Sequence, residues 1–425
     1  MKVFIIGGGG REHVLAWKLA QSAKVSQVLA HPMNGGLAEL AEPAPLKRSA
    51  TAYELARFAE KEGVDLTVVG PEALLCVGIA DTFASRGLRL FGPTQKASQI
   101  EGSKVWTKKF LRRYRIPTAE FEIFRDYERA LNYVMAHEYP VVIKADGLAA
   151  GKGVTVAKTP KEAKEALHGV MVEGRFGSAG NQVVVEECLV GQEASMLVFT
   201  DGENLLPLLP AQDHKPLLDG DQGPNTGGMG AICPTPLVDG ELQKKVLDEV
   251  FHPVLRGFSA EGIRYVGMLY AGLMIDGGQA KVLEFNCRFG DPETQAILPL
   301  LDSDLVDLIE ATLDGRLNEV KVNWRENKTC VSVVMASGGY PGKYEKNLPI
   351  EGLKQFDPED RDTIVFHAGT QRAGQQVLTS GGRVLAVTAV GDDPAAARQR
   401  AYAAVEQIHF EAAQYRKDIG AKALG

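Results

Sequence analysis

No stretch of the sequence is both apolar enough and long enough to cross a membrane, and no run of lysines and arginines stands out. A transmembrane helix needs about 20 apolar residues, and a nucleic-acid interface normally shows as a basic cluster. We therefore expect neither a membrane nor a nucleic acid as a partner. Cysteine is scarce and lacks paired spacing, which predicts a reduced, cytoplasmic protein without a zinc site. The five cysteines are Cys76, Cys188, Cys233, Cys287 and Cys330.

The remaining composition is that of a globular protein with a large core. The chain has 425 residues, of which 45% are hydrophobic and 24% charged, and its net charge is −7. It shows no internal repeat and no low-complexity segment. Single cores stop growing beyond about 250–300 residues, so a chain of this length is expected to form roughly two to four domains.

Residues 282–293 carry the most informative pattern. They begin as a strand in which polar and apolar residues alternate, so Glu284, Asn286 and Arg288 are predicted to share one face. A carboxylate and an amide oxygen suit Mg²⁺, which keeps its other positions for water and phosphates. A guanidinium beside them suits an oxyanion or a phosphoryl group in transfer. The alternative is a surface strand with an incidental ion pair.

The first residues predict an anion site. An apolar strand over residues 2–6 runs directly into the glycines at 7–10, which argues against a signal peptide. A helix predicted over 14–21 follows, and a helix start after a glycine turn can bind a phosphate. The third glycine of a dinucleotide fingerprint is missing, and the next strand, over 25–30, ends without an acidic residue. A sugar phosphate is therefore favoured over NAD, with a ligand-free turn as the alternative.

Further strand–turn–helix units follow and predict a parallel sheet. A strand over 65–69 ends in Gly70-Pro71-Glu72, and a helix is predicted over 77–86. Ligands of such sheets bind beyond the carboxyl ends of the strands, which places Glu72 near a predicted substrate site. A simple chain reversal is the alternative.

The middle of the chain predicts a phosphate-binding flap. Ser103 is expected to cap a helix, and a strand over 141–145 presents Lys144. The small residues of loop 146–153 then lead into another strand without Walker A spacing. Lys144 and Lys152 are the predicted phosphate donors, although a solvated loop lysine is a common alternative for Lys152.

A second part of this region predicts a nucleotide-binding hinge. The buried strand over 183–193 is expected to break at Gly191, where free main-chain groups can bind an adenine edge. Glu193 lies just beyond and can accept hydrogen bonds from ribose hydroxyls. A hinge between subdomains is the alternative, and nucleotides often bind between layers. Further on, residues 216–224 are predicted to be flexible.

Together these motifs resemble those of the ATP-grasp superfamily, and within it the glycinamide ribonucleotide synthetase (phosphoribosylamine–glycine ligase) family. The two most specific motifs are the last ones along the chain. The motifs are 9–13 (GGREH), 70–72 (GPE), 101–104 (EGSK), 144–153 (KADGLAAGKG), 212–215 (QDHK), 223–230 (GPNTGGMG) and 284–295 (EFNCRFGDPETQ).

The resemblance implies an α/β ATP-grasp ligase in three parts. They are an N-terminal parallel-sheet domain like that of biotin carboxylase (1–103), a split ATP-grasp domain (104–325) with a mobile lid over about 122–190, and a C-terminal α/β cap (326–425) without chemistry of its own. It implies a ligase that joins glycine to 5-phosphoribosylamine through glycyl phosphate, in the second step of purine biosynthesis. An ATP-grasp carboxylase of a purine intermediate or biotin is the enzymatic alternative, and a nucleotide-sensing regulator is the non-enzymatic one.

The resemblance also implies roles for individual residues. Arg288 and Lys144 are the expected catalytic residues, and Glu284 and Asn286 are the expected metal ligands. The expected ATP-binding residues are Lys104, Lys144, Gly151, Lys152, Gly153, Glu186, Glu187, Leu189 and Glu193. The expected substrate-binding residues are Gly9, Gly10, Arg11, Glu12, Glu72, Asp213, Lys215, Asn225, Gly228, Arg288 and Asp291.

The expected cofactors are ATP as a co-substrate and Mg²⁺ or Mn²⁺, and the expected state is a monomer or weak homodimer. The chain departs from the family at Gly8, where a small polar residue is usual, and at Met33, where glycine is usual. Strand 269–274 also lacks the acidic metal ligand of many superfamily members. His13 and His214 are expected to be structural, because histidines in a helix's first turn or a polar loop are more often structural than catalytic.

Overall fold

The computed structural model describes residues 1–148 and 153–424. Its N-terminal part is a five-stranded parallel sheet in the order β3-β2-β1-β4-β5. The buried β1 lies at its centre, as expected for a sheet covered on both faces. The elements are β1 (Lys2–Ile6), α1 (Gly10–Leu19), β2 (Gln27–His31), α2 (Leu37–Leu40), β3 (Glu42–Pro43), α3 (Ala52–Glu62), β4 (Leu66–Val69), α4 (Glu72–Cys76), α5 (Ile79–Ala84), β5 (Leu90–Phe91) and α6 (Gln99–Gly102).

Two helices differ from the sequence-based prediction. Helix α1 begins at Gly10 rather than residue 14, because the Glu12 carboxylate accepts the Gly9 N–H at 2.5 Å and satisfies a free donor at the helix start. The helix predicted over 77–86 is shorter in the structure, where it is α5 (Ile79–Ala84), because Gly78 has φ 87° and separates it from α4.

The central part contains two four-stranded antiparallel sheets, and Lys144 of the first donates to the Leu283 carbonyl of the second. The first has the order β6-β9-β7-β8 and the second β11-β10-β16-β17. Ser103 caps α7 as predicted, by accepting the Trp106 N–H at 3.0 Å. The elements of residues 104–207 are α7 (Lys104–Arg113), β6 (Phe121–Phe124), α8 (Tyr127–Met135), β7 (Val141–Ala145), β8 (Val154–Ala157), α9 (Pro160–Met171), β9 (Val183–Glu187), β10 (Gln192–Thr200) and β11 (Leu205–Pro207).

The prediction of a flexible segment over 216–224 is wrong, because this segment forms a β-hairpin closed by a turn at Gly220. The hairpin consists of β13 and β14, and it stands between two strands that join another sheet. These elements are β12 (Gln212–Asp213), β13 (Pro216–Leu218), β14 (Gln222–Asn225) and β15 (Gly230–Cys233), and those that follow are α10 (Gly240–Val246), α11 (His252–Ala260), β16 (Gly267–Asp276), β17 (Gln279–Asn286), α12 (Glu293–Ile297) and α13 (Leu305–Asp314).

The C-terminal part is an antiparallel sheet with α14 packed against it. Its order is β12-β15-β18-β22-β19, so two of its strands come from the central part of the chain. The predicted boundary between residues 325 and 326 therefore separates segments that share one sheet, and the domain limits stay a prediction. The elements are β18 (Thr329–Ala336), β19 (Thr363–His367), β20 (Thr370–Ala373), β21 (Gln376–Thr379), β22 (Arg383–Gly391) and α14 (Pro394–Val405).

Both departures from the family pattern are accommodated locally. A Cβ at Gly8 would lie 2.7 Å from the Pro32 carbonyl oxygen, so glycine fits this backbone without displacing its neighbour. Met33 is partly buried and packs against a large apolar cluster that also contains β1 residues. Among the residues that the structure describes, no helix is long and apolar enough to cross a membrane.

Candidate active site

The predicted metal-binding strand, β17, is irregular at the point where the site lies. Its partner β16 places Gly272 opposite Glu284 and then Leu273 opposite Val282, so Leu283 is left as a bulge. The Leu283 carbonyl accepts a hydrogen bond from the Lys144 ammonium at 3.1 Å. The bulge therefore brings a predicted phosphate-binding lysine onto the strand that carries Glu284.

Glu284 lies among cations. Its carboxylate is 3.6 Å from the Lys215 ammonium. Desolvation alone would raise the pKa of Glu284, but Lys215, Lys104 and Lys144 outweigh it and lower the pKa to about 2. The carboxylate is therefore ionised at neutral pH, among cations whose charge suits the phosphates of a nucleotide.

The oxygens of Glu284 and Asn286 fit a hard divalent cation that is completed by phosphate oxygens and water. The Asn286 Oδ1 faces the Arg288 guanidinium, which donates to it at 2.9 Å. No group of three or more His, Cys, Asp and Glu side chains within 1–148 and 153–424 is arranged to hold a metal. Gly272 stands opposite Glu284, where an acidic residue could have supplied a third ligand.

Arg288 is held by two carboxylates from the N-terminal part. Its guanidinium lies 3.4 Å from Glu72 and 3.2 Å from Glu101. Burial would lower its pKa, but these two carboxylates raise it, so the charge is fixed. Glu101 also accepts the Cys287 N–H at 2.7 Å, which ties its carboxylate to the same segment. The sequence-based prediction included Glu72 but missed Glu101, although the motif at 101–104 contains it.

A buried carboxylate forms the centre of the predicted ATP-binding face. Glu186 pairs with Lys144 at 2.9 Å and with Lys108 at 3.2 Å. Burial lowers the pKa of Lys108 to about 8 despite that pairing. The Glu186 Oε1 atom is buried and has no hydrogen-bond partner in the described part of the chain, so it is free to accept from a ligand. Sequence reasoning missed Lys108, which lies on α7 without a recognisable motif.

Other predicted ATP-binding residues are less closely grouped. Lys104 donates to the Gly147 carbonyl at 3.0 Å, and the Gly153 carbonyl accepts from Ala145 at 2.8 Å. The Glu187 carboxylate pairs with Lys281 at 3.0 Å instead of joining Glu186. Leu189 is half-buried in the hinge, and Glu193 pairs with Lys215 at 3.1 Å. The predicted flap residues Gly151 and Lys152 lie outside the described residues.

The first glycine turn, at residues 7–10, lies beside Asp291 and Gln295, which follow the predicted metal ligands. A Cβ at Gly9 would lie 3.8 Å from the Asp291 Oδ2, and one at Gly10 would lie 2.7 Å from an amide nitrogen of Gln295. The Arg11 guanidinium pairs with Glu12 at 2.7 Å and donates to the Phe289 carbonyl at 3.2 Å. The predicted sugar-phosphate site therefore adjoins the segment that directly follows the predicted metal ligands.

A second carboxylate pair lies beside Gly228. Burial and the nearby Glu293 raise the pKa of Asp213 well above its ordinary value, and its buried Oδ1 has no partner within the described residues. Glu293 is itself held by the Tyr270 hydroxyl at 2.5 Å. Gly228 has φ 107°, and a Cβ there would lie 2.6 Å from Asp213, so this position requires glycine. Asn225 is exposed at the end of the hairpin, and the structure does not bring it against this pair.

The C-terminal part contributes Arg383, which the prediction of a cap without chemistry overlooked. Its guanidinium pairs with the Asp291 carboxylate at 2.9 Å and donates to the Asp291 and Gly227 carbonyls at 2.9 and 2.5 Å. Burial would raise the pKa of Asp291, but Arg383 and Arg11 lower it. The one sequence feature that could have pointed to Arg383 is the glycine turn at 381–383, which places this arginine at the start of strand β22.

The two candidate histidines have structural roles, as expected. The Nδ1 atom of His13 accepts the His367 N–H at 2.7 Å, which requires the neutral ring. Burial lowers the pKa of His214 to about 4, and its Nδ1 lies 3.3 Å from the Gly230 carbonyl oxygen. His13 therefore links helix α1 to strand β19, and His214 links the end of β12 to β15 of the same sheet.

Comparison with known proteins places this geometry in a family. The N domain, ATP-grasp (A) domain and C domain of phosphoribosylglycinamide synthetase match residues 1–101, 102–294 and 330–422. The chain is 53% identical to the phosphoribosylamine–glycine ligase of Pseudomonas aeruginosa, over 100% of this chain and 98% of that protein. It is 50% identical to the enzyme of the same name from Vibrio cholerae, over 100% and 99%.

Solved structures agree. The phosphoribosylamine–glycine ligase of Thermotoga maritima superposes with a TM-score of 0.86 and 33% identity, over 99% of this chain and 100% of that one. A biotin carboxylase domain from Hydrogenobacter thermophilus in complex with MgADP has a TM-score of 0.73 at 17% identity, over 97% and 91%, which shows the fold alone. The predicted fold class is thus confirmed, and the carboxylase alternative is not favoured. The chain belongs to the phosphoribosylglycinamide synthetase family of ATP-grasp ligases.

Proposed function

We propose that the protein joins glycine to 5-phosphoribosylamine and converts ATP to ADP and phosphate, as expected for a member of this family. The observation that best supports a site for this reaction is the group formed by Glu284, Asn286 and Arg288 on one segment, facing Lys144 and Lys215. A metal-bound triphosphate needs an ionised ligand for the metal and cations beside its phosphates, and this group provides both.

ATP would lie between the two central sheets. The free Glu186 oxygen and the hinge around Leu189 would bind the adenine, and Glu193 would bind the ribose. Lys104 and Lys144 would neutralise the phosphates, with the flap residues Gly151, Lys152 and Gly153 above them. Glu187 would contribute through its backbone, since its carboxylate is paired elsewhere.

Glu284 and Asn286 would hold Mg²⁺, and Mn²⁺ is the second candidate because it accepts the same oxygen ligands. The cation would neutralise phosphate charge when bound. Arg288 would orient the glycine carboxylate or the transferred phosphoryl group. All three guanidinium nitrogens of Arg288 already have partners, and the longest contact, 3.4 Å to Glu72, is the one that an incoming oxyanion would replace most easily.

The reaction needs no covalent bond to the protein. A glycine carboxylate oxygen would attack the terminal phosphorus of ATP, and ADP would leave, which gives glycyl phosphate. The amine of phosphoribosylamine would then attack the glycyl carbonyl carbon, and phosphate would leave. The turn at Gly9 and Gly10 and the Arg11 guanidinium would anchor the 5-phosphate, which places the amine on the Asp291 side of the cleft.

Asp213 would bind the ammonium group of glycine. A bound cation favours the ionised form of a carboxyl, so glycine binding would lower the raised pKa of Asp213. Gly228 offers the close approach that the acyl phosphate needs, and Lys215 and Asn225 border the same loop. We also propose three domains (1–103, 104–325 with a lid over about 122–190, and 326–425), a cytoplasmic location, and a monomer or weak homodimer.

The test is ADP formation with phosphoribosylamine generated from ribose 5-phosphate and ammonia, without bicarbonate. ADP release that requires both the amine and glycine, and that alanine does not support, is the expected result. ADP release that depends on bicarbonate and not on glycine would instead support the carboxylase. ATP binding without turnover in any mixture would support a regulator.

A further inference from the structure

The β13–β14 hairpin connects two stretches of the proposed substrate site but has little apolar support of its own. Lys215 immediately precedes it, and the loop that contains Gly228 follows it. All of β14 is exposed, and so is Leu218 at the end of β13. Hydrophobic packing therefore contributes little to its position, and polar contacts must fix it.

The base of the hairpin is rigidly joined to Lys215. Both the backbone N–H and the hydroxyl of Thr226 donate to the Lys215 carbonyl, at 2.8 and 2.7 Å. The same hydroxyl accepts the Gly228 N–H at 3.0 Å. A displacement of the hairpin would therefore move the Lys215 backbone and the Gly228 loop together.

The tip of the hairpin is held by residues near the C-terminus of the chain. The Arg416 side chain is 0% exposed and pairs with Asp221 at 3.0 Å and with Asp418 at 2.7 Å. It also donates to the Pro216 carbonyl at 3.1 Å. The Gly220 N–H donates to Asp418 at 2.8 Å, so the turn is held by its backbone as well.

This C-terminal segment is itself anchored to the sheet. The Tyr402 hydroxyl on α14 donates to the Arg416 carbonyl at 2.8 Å and accepts the Ile419 N–H at 3.0 Å. The Lys417 N–H donates to Asp219 at 2.7 Å. A continuous set of contacts thus runs from α14 through Arg416 to the hairpin and on to Lys215.

We propose that Arg416 is a positioning residue, which holds the β13–β14 hairpin so that Lys215 and Gly228 face glycine in the cleft. The proposal rests on the proposed function for its kinetic consequence and on the contacts alone for its structural one. An arginine is needed because its planar fork serves two carboxylates and a carbonyl at once, and a lysine cannot.

The test compares Arg416→Met with Arg400→Met in the full-length protein. Arg400 is the control for an arginine that binds a carbonyl and a carboxylate away from the hairpin: it donates to the Val390 carbonyl at 2.7 Å and pairs with Asp362 at 3.3 Å, and its side chain is 47% exposed. Arg416→Met should raise hydrogen exchange at the Gly220 amide about tenfold or more. It should raise the KM for glycine about tenfold and change the Kd for ADP less than about twofold, whereas Arg400→Met should change none of these.

Two further variants keep the test decisive. Arg416→Lys should recover part of the KM for glycine. Asp221→Asn serves as the second variant if Arg416→Met fails to fold. It removes one charge at an exposed turn and should loosen the hairpin, and asparagine tolerates the positive φ of 57° there. Unchanged hydrogen exchange at the Gly220 amide would show that Arg416 does not hold the hairpin and would overturn the proposal. Faster exchange with an unchanged KM for glycine would overturn the positioning role. If the wild-type protein makes no product, the proposed function fails, but the hydrogen-exchange measurement still shows whether Arg416 holds the hairpin.

Discussion

Replacing Arg383 by methionine should remove one link between the C-terminal part and the Asp291 segment without a large change in side-chain volume. The guanidinium holds both the Asp291 carboxylate and the Gly227 carbonyl, and both segments belong to the proposed substrate site. Its loss would leave Asp291 without its nearest cation and release the Gly228 loop. We therefore expect both glycine binding and turnover to weaken.

The magnitude follows from the burial of the pair. Exposed ion pairs contribute at most about 1 kcal/mol, and breaking a buried pair costs about 3–5 kcal/mol. The two side chains are 21% and 19% exposed, which places this pair between the limits, at about 2–3 kcal/mol. If the whole of that cost falls on the bound transition state, kcat/KM for glycine falls about 30- to 150-fold.

The assay is coupled ADP release in a double-mutant cycle of Arg383→Met with Asp291→Asn. If the pair acts as one unit, the double variant should be little worse than either single variant, with a coupling of about 2 kcal/mol. Additive losses, with a coupling below about 0.5 kcal/mol, would refute the reasoning. Arg383→Lys should fall between wild type and methionine, because it keeps the charge and loses the fork.

Three other outcomes are expected. Glu284→Gln should raise the half-saturating Mg²⁺ concentration about tenfold or more, and an unchanged Mg²⁺ titration would remove Glu284 from the metal site. Arg11→Ala should raise the KM for phosphoribosylamine and leave that for ATP unchanged, whereas an equal rise in both would contradict a sugar-phosphate role. Burial lowers the pKa of His214 and His367 to about 4, so the unfolded chain binds more protons between pH 6.5 and 4. The free energy of unfolding from urea titrations should therefore fall as pH decreases through this range, by up to about 3 kcal/mol for each histidine, and a flat profile in wild type, or an unaltered one in His367→Asn, would contradict this.

Local patterns in the sequence were sufficient for much of the fold. Strand β7 has the predicted limits, 141–145, because an apolar run interrupted only by Lys144 marks it. Strand β17 pairs regularly with β16 from Glu284 to Asn286, so these two side chains share a face, as the alternation predicted. These features depend on neighbours within a few residues, which is the range that sequence periodicity reports.

Long-range contacts were the part that sequence could not supply. Arg383 meets Asp291 across 92 residues, and Arg288 meets Glu72 across 216. No local pattern marks Lys108 on helix α7, because its role depends on Glu186 in the distant strand β9. The joining of β15 to the C-terminal strand β18 was equally hidden, since short strands pair through topology and not through a sequence signal.

The central claim is that glycine is activated as glycyl phosphate within the cleft around Glu284, Asn286 and Arg288. It is tested most directly with glycine labelled with ¹⁸O in its carboxylate, by mass measurement of the phosphate released during turnover. The account predicts that one labelled oxygen enters each phosphate, in proportion to ADP formed, and that Arg288→Met abolishes both. Unlabelled phosphate during full turnover would contradict an acyl phosphate and with it the assigned chemistry of the site.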